Sequence, residues 1–173
     1  ALASEETKQA RELYEEAIQR FPRSNVVGQC RFGLGRVLEL QGESEQARSE
    51  YRSLATAGGP LADDAKLQIG ISYYNNRQYE EAGAAFSAAA TQFPNSELVT
   101  HARYGLGMTL IARRHWTEAA RTFEETVNNE PEHALAASIQ FWLAESYRHN
   151  DQLEIAKAYH ERVCVDWSDS QWT

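Results

Sequence analysis

The chain contains few cysteines and prolines, and its basic side chains are outnumbered. Its 173 residues include 2 cysteines, 4 prolines and 17 Lys or Arg against 25 Asp or Glu, which gives a net charge of −8. The two cysteines, Cys30 and Cys164, are far apart in the sequence, and we expect them to be half-buried free thiols that do not approach within the ~7 Å Cα limit of a disulfide. An acidic chain with no basic stripe repels phosphate backbones, so nucleic acid is not an expected partner.

Long apolar runs are also missing. No stretch approaches the roughly 20 continuous apolar residues of a membrane-spanning helix, so no membrane insertion is expected. The chain is nevertheless 42% hydrophobic and 24% charged, near the averages of globular proteins. This composition predicts a folded acidic domain with a sizeable core.

The most regular feature present is a series of alanines spaced 35 to 37 residues apart. They are Ala10, Ala47, Ala82, Ala119 and Ala156. A period of this size indicates stacked two-helix units, each burying its apolar face against its neighbours. Glycines precede three of the alanines by twelve residues, at Gly35, Gly70 and Gly107. A mid-helix glycine costs about 1 kcal/mol relative to alanine, so we expect close approach of the partner helix to offset that cost.

Short breaks and prolines divide the chain into helices. Gln41-Gly42 and Asn76-Arg77 are typical of the breaks that force antiparallel helix pairs, and Pro22 and Pro94 mark the corners between pairs. The pattern predicts one continuous array over residues 1–173 with nine helices. Its parts are a second helix of a truncated repeat (4–22) and four repeats of two helices each (25–60, 61–95, 96–132 and 133–170).

The repeated positions resemble a known family. In the second repeat they read Ile69-Gly70, Tyr73, Tyr79, Ala82, Phe86, Ala89 and Pro94, and in the third Leu106-Gly107, Leu110, Trp116, Ala119, Phe123 and Pro131. This order resembles the tetratricopeptide repeat (TPR). The fourth repeat departs most, with Ala144 for glycine and His160 at the aromatic position. The resemblance implies an all-α, right-handed superhelical solenoid of antiparallel helix pairs. The spacing and the Phe-Pro-x-Ser corners are most similar to bacterial envelope-assembly and cell-division members.

The resemblance also implies a binding surface. In the family, the first helices of successive repeats line a concave groove that receives peptides or helices of partner proteins. The matching positions are Phe32, Arg36, Glu39, Leu67, Ile71, Tyr74, Tyr104, Met108, Ile111, Phe141, Glu145 and Arg148. An apolar middle with charged ends favours a peptide or an amphipathic helix of another protein. Phe32 and Leu67 stand where a carboxylate-binding clamp would need polar donors, which disfavours that mode. The alternative is that neighbouring repeats bury these residues and they bind nothing.

Motifs of catalysis and metal binding have structural interpretations. The GxG runs at residues 33–35 and 105–107 lie inside predicted helices, whereas a phosphate loop needs a strand before it and a helix after it. His160 and Cys164 could supply half a zinc site, but no second pair of ligands lies within obvious reach. We therefore expect no enzyme activity, no cofactor and no metal.

Three functional classes follow from these observations. A protein-interaction scaffold is favoured, and a regulatory or targeting segment of a larger enzyme or membrane-associated protein is the alternative. A helical-repeat RNA reader would need a basic, polar inner wall, which this chain lacks.

The two ends of the sequence carry a further expectation. The first helix has a second-helix pattern with no first helix before it, and Trp167-Ser168 stands at a corner that elsewhere opens a repeat. These features predict a piece of a longer array. We also expect Val163, Val165 and Trp167 to form an exposed apolar face that drives self-association.

Overall fold

The computed structural model describes the backbone of residues 2–166 and the side chains of residues 5–166. Over that range the protein consists of nine α-helices and contains no β-strand. They are α1 (Leu2–Arg20), α2 (Val27–Leu40), α3 (Ser44–Ala57), α4 (Ala62–Asn75), α5 (Tyr79–Gln92), α6 (Val99–Ala112), α7 (Trp116–Asn129), α8 (Ala136–His149) and α9 (Leu153–Asp166). The predicted all-α helical-repeat class is therefore confirmed.

The helices form two compact bodies. Among the described residues, the N-terminal body ends at residue 77 and contains α1 to α4, and the C-terminal body begins at residue 78 and contains α5 to α9. Within each body, every helix packs against the next helix along the chain. Such neighbour-by-neighbour packing spreads the core along the sequence, as in other repeat proteins.

The short breaks adopt a common turn with one residue in the left-handed region. That residue is glycine in one turn, with φ of 80° at Gly42, but Arg77, Arg114 and Asp151 have φ of 59°, 61° and 58°. In the turn after α6, the His115 N–H donates to the Leu110 carbonyl at 2.9 Å. This bond closes the C-terminus of the first helix and reverses the chain into the second.

The mid-helix glycines accommodate aromatic rings. A Cβ on Gly35 would lie 2.5 Å from the Tyr51 ring, and one on Gly107 would meet the ring of Phe123 just as closely. The first glycine of the GxG pair at residues 105–107 receives the Phe86 ring, 2.6 Å from its added Cβ. The expected close approach to the glycines is observed, but the atoms that approach are aromatic rings on the second helix of a helix pair and not that helix's backbone.

Four of the five periodic alanines are buried, and the first, Ala10 on α1, is half-buried. Ala47, Ala82 and Ala119 are 0% exposed and Ala156 is 3% exposed, which confirms that they lie at helix contacts. In the C-terminal body the core continues through Phe123, Ile139, Leu143 and neighbouring residues of α7 and α8.

Helix α9 differs from the expectation in two places. Val163 is 1% exposed and belongs to the core, so its assignment to an exposed face was wrong. Cys164 is exposed whereas Cys30 is half-buried, so only Cys30 fits the predicted thiol environment. Val165 is exposed as expected, and Trp167 lies outside the described residues. Val163 packs inward because a helix places residues three and four apart on one face, and Val163 continues the row of Ala156 and Tyr159.

Candidate protein-binding surfaces

In the N-terminal body, α2 carries three of the predicted binding residues on one face. Phe32, Arg36 and Glu39 are spaced by four and three residues, so they share a side of the helix. Arg36 is exposed, and Phe32 and Glu39 are half-buried. The opposite side of α2, with Leu34 and Leu38, is buried in the core. The helix therefore separates a packed face from an accessible one.

Helix α4 contributes two accessible residues and one that is not. Ile71 and Tyr74 are half-buried, and each keeps a solvent-facing edge. Leu67 is only 6% exposed, so it is part of the core and offers almost no surface to a partner. Its place in the family pattern did not reveal this, because the depth of a residue depends on the neighbours that pack over it.

The faces of α2 and α4 meet in a surface cavity of about 480 Å³, which we name the α2–α4 cavity. From the predicted set it is lined by Arg36, Glu39 and Ile71. Its remaining walls are Leu40, Gly42, Ser44, Tyr51, Gln68, Ser72, Asn75 and Asn76. The cavity thus combines two opposite charges, several amides and an apolar wall.

The floor of the cavity includes a buried tyrosine. Tyr51 is 1% exposed, and burial together with the nearby Glu39 carboxylate raises the pKa of its hydroxyl to about 12. The hydroxyl therefore stays protonated at neutral pH. It can serve a ligand as a hydrogen-bond donor or acceptor but not as an anion.

In the C-terminal body, α6 presents an apolar row. Tyr104, Met108 and Ile111 follow the helical spacing of four and three, and all three are half-buried. Their inner edges pack against the core cluster that contains Phe123, and the Tyr104 and Phe123 rings lie 6.1 Å apart. The outer edges of these side chains leave apolar surface open to a partner.

Helix α8 supplies a charged network. The Arg148 guanidinium donates to Glu145 at 2.6 Å, and the His160 ring lies 3.1 Å from the other Glu145 oxygen. The hydrogen bonds from Arg148, with a smaller contribution from His160, lower the pKa of Glu145. The Phe141 ring packs edge-on against His160 at 5.6 Å. Glu145 and Arg148 therefore largely neutralise each other's charge and use each other's hydrogen-bonding groups.

Sequence reasoning missed the polar walls of the α2–α4 cavity. Gln68 and Asn75 flank Ile71 at helical spacing on α4, and this spacing is the signal that could have placed them on the same face. His160 was assigned to the aromatic position of the fourth repeat and weighed as half of a zinc site, whereas its ring nitrogen lies 3.1 Å from a Glu145 oxygen. Ring-to-carboxylate contacts between two helices depend on their packing and are not visible in the sequence.

Comparison with known proteins identifies the family. The model described as "Tetratricopeptide repeat" matches residues 1–60, 32–97 and 104–162, and the chain belongs to this family. A relative, anaphase-promoting complex subunit 6 of Arabidopsis thaliana, is 28% identical over 160 residues. The alignment covers 87% of this chain and 28% of that protein, so the chain spans little more than a quarter of its relative.

Solved structures share the fold at low sequence identity. BtubC (BKLC) from P. vanneervenii superimposes with a TM-score of 0.78 at 15% identity, over 94% of this chain and 73% of that one. YrrB, a TPR protein with an unusual peptide-binding site, superimposes with a TM-score of 0.70 at 19% identity, over 98% of this chain and 82% of that one. These similarities establish the TPR fold, which generally mediates protein–protein interactions.

Metal-binding clusters and membrane-spanning helices are both absent from the described residues. No group of three or more His, Cys, Asp or Glu side chains in residues 5–166 is arranged to hold a metal ion. Over the described part of the chain, the apolar segments of the helices are too short to span a bilayer.

Proposed function

We propose that this chain is a protein-interaction scaffold that binds a peptide or helix of another protein on the accessible faces of its first helices. The observation that carries the proposal is the α6 row of Tyr104, Met108 and Ile111, three large apolar side chains left half-buried on one face. Apolar side chains that line up on an otherwise polar surface are typical of interaction sites.

The chemistry of the surfaces favours an apolar or amphipathic segment. A helix that presents residues at i, i+3, i+4 and i+7 matches a row of this spacing. The opposite charges of Glu145 and Arg148 cancel each other. The pair is therefore better suited to lying beside an amphipathic ligand than to binding a single charged group of it. Phe32 and Leu67 provide no polar donors, which argues against a clamp for a C-terminal carboxylate.

The proposal is tested by capture of partner proteins from the native host. Met108→Glu with Ile111→Glu should reduce capture by at least about tenfold, because charges replace two half-buried apolar side chains of the proposed contact surface. Arg121→Gln, on the exposed side of α7, is the matched control and should capture as wild type. Equal capture by the double variant and wild type would place the partner elsewhere.

Folding controls accompany the capture experiment. Met108 and Ile111 also touch the core, so circular dichroism and melting must show that the double variant is folded. If it is not, Met108→Gln with Ile111→Thr makes a milder change on the same face. Ile71→Glu with Tyr74→Glu tests the N-terminal body separately.

A regulatory or targeting segment of a larger enzyme or membrane-associated protein is the second candidate, since the relative that matches is far longer than this chain. In that case the same surfaces bind, and the activity resides outside residues 1–173. The capture experiment with the full-length protein separates the two roles.

Self-association through α9 is a further part of the proposal. Leu153, Ile155 and Val165 are 62%, 43% and 77% exposed. Leu153 and Val165 line a mainly apolar surface cavity of about 680 Å³ together with His160 and Cys164. Exposed apolar surface of this kind favours contact with a second protein molecule.

A further inference from the structure

An unusual carboxylate lies in the α2–α4 cavity. One oxygen of Glu39, Oε2, accepts a hydrogen bond from the Ser44 hydroxyl at 3.0 Å. The other, Oε1, is buried and has no hydrogen-bond partner. A buried acceptor without a partner is costly, and a charged one more so. A hydrogen bond from an external donor to Oε1 would therefore lower the free energy of this carboxylate.

Among the side chains of residues 5–166, no Lys, Arg or His forms an ion pair with Glu39. Arg36 lines the same cavity one turn away, yet among the described residues it forms no ion pair with Glu39. By contrast, Glu145 on α8 is hydrogen-bonded to Arg148 at 2.6 Å and lies 3.1 Å from the His160 ring nitrogen. Of these two carboxylates, Glu39 is the one with capacity for an external cation.

The cavity walls fit a compact cation on an apolar stem. Gln68 and Asn75 line the cavity, and their side-chain amides make no hydrogen bond within the described residues. The cavity lining thus includes three acceptors, the carbonyl oxygens of Gln68 and Asn75 and the carboxylate of Glu39, and an ammonium group has three N–H donors. Ile71 and Leu40 provide apolar surface for methylene groups. Rotation about the last side-chain bond of Glu39 is soft, so the buried oxygen can turn toward a ligand.

We propose that the α2–α4 cavity binds a primary ammonium group of a partner protein, from a lysine side chain or an N-terminal amine, with Glu39 as its counter-ion. This inference rests on the proposed function for the origin of the ligand and deepens it. The net charge of −8 attracts cationic segments toward the chain, which favours the encounter.

Small probes test the site without knowledge of the partner. The ¹⁵N-labelled chain is titrated with Nα-acetyl-lysine N-methylamide, and the matched control probe carries an additional Nε-acetyl group that removes the charge. We expect saturable shifts of the Ser44, Gln68, Asn75 and Asn76 signals with the charged probe and none with the acetylated probe. Alanine N-methylamide, which has a free α-amine, distinguishes the N-terminal source from the lysine source.

Variants identify the counter-ion. Glu39→Gln keeps the acceptor for Ser44 and the side-chain shape, and it should weaken binding of the charged probe by about tenfold or more. Arg36→Gln removes the like charge beside the site and should strengthen binding by about threefold. Glu12→Gln, an exposed carboxylate on α1, is the matched control and should bind the probe as wild type.

The results separate this inference from the proposed function. Equal shifts with both lysine probes, unchanged binding by Glu39→Gln, or no saturable shift with either amine would overturn the ammonium site. Partner capture that depends on Met108 and Ile111 would stand in each of those cases. If the α6 variants capture the partner as wild type does while the charged probe still binds, the proposed α6 surface is overturned and the cavity site stands.

Discussion

Aromatic rings seated on glycines illustrate how single residues set the helix spacing. Tyr51 lies against Gly35 and Phe123 against Gly107, and both rings are almost completely buried. The helix tolerates the glycine because the ring gains close contacts that a Cβ would prevent. This arrangement explains the GxG runs without any phosphate ligand.

Gly35→Ala should therefore destabilise the chain despite its better helix propensity. An added Cβ would lie 2.5 Å from the buried Tyr51 ring, and overpacking costs about 1–3 kcal/mol against a gain of about 1 kcal/mol. The matched control is Gly28→Ala on the same helix, where the added Cβ would lie 3.7 Å from Leu61 in ordinary contact. Thermal melting should show a lower midpoint for Gly35→Ala and an equal or higher one for Gly28→Ala. Equal melting midpoints for the two variants would mean that the Tyr51 ring can move to accommodate a Cβ at residue 35.

Helices and turns show the next level of organisation. The same left-handed turn follows three different first helices with arginine or aspartate at the strained position, where only the turn at Gly42 has glycine. A side chain in this region costs about 1–2 kcal/mol, and the antiparallel packing of the helix pair maintains it. The turns are therefore determined by helix packing as well as by their own residues.

Arg114→Gly should stabilise the C-terminal body by about 0.5–1 kcal/mol, since relief of the strained φ of 61° exceeds the added entropy of the unfolded chain. Gly42→Ala is the reciprocal variant. Its φ of 80° becomes strained, although nothing lies within 4 Å of an added Cβ. Urea unfolding should move the midpoint upward for Arg114→Gly and downward for Gly42→Ala. A downward shift for Arg114→Gly would show that the arginine side chain makes a compensating contribution.

At the scale of the whole molecule, apolar surface remains at the end of the described array. Leu153 and Val165 on α9 are exposed, whereas Val163 is buried and is not available to a partner. Variants of Val163 would perturb the core, so self-association has to be tested at the exposed positions.

Leu153→Gln with Val165→Gln should remove concentration-dependent self-association. Sedimentation velocity of the wild-type chain should show a sedimentation coefficient that rises with concentration, because paired molecules bury these side chains. The double variant should give a constant value, and Glu154→Gln on the same helix should behave as wild type. A wild-type chain that remains monomeric at high concentration would contradict self-association.

The sequence by itself determined the helices, their order and the core alanines. Prolines and short breaks act over a few residues, so they predict the helix ends. The buried alanines are predicted by their recurrence at the same position in each repeat. The repeat boundaries at 25–60, 61–95, 96–132 and 133–170 remain predictions.

Only the tertiary structure decided how deep each residue lies and which partners it finds. Leu67 and Val163 occupy positions whose pattern suggested surface, yet neighbouring side chains cover both. Glu39 and Glu145 are both acidic residues on first helices, but only Glu39 retains an oxygen without a partner. Exposure and hydrogen bonding depend on side chains brought together from different helices, and a periodic pattern along one chain does not contain that information.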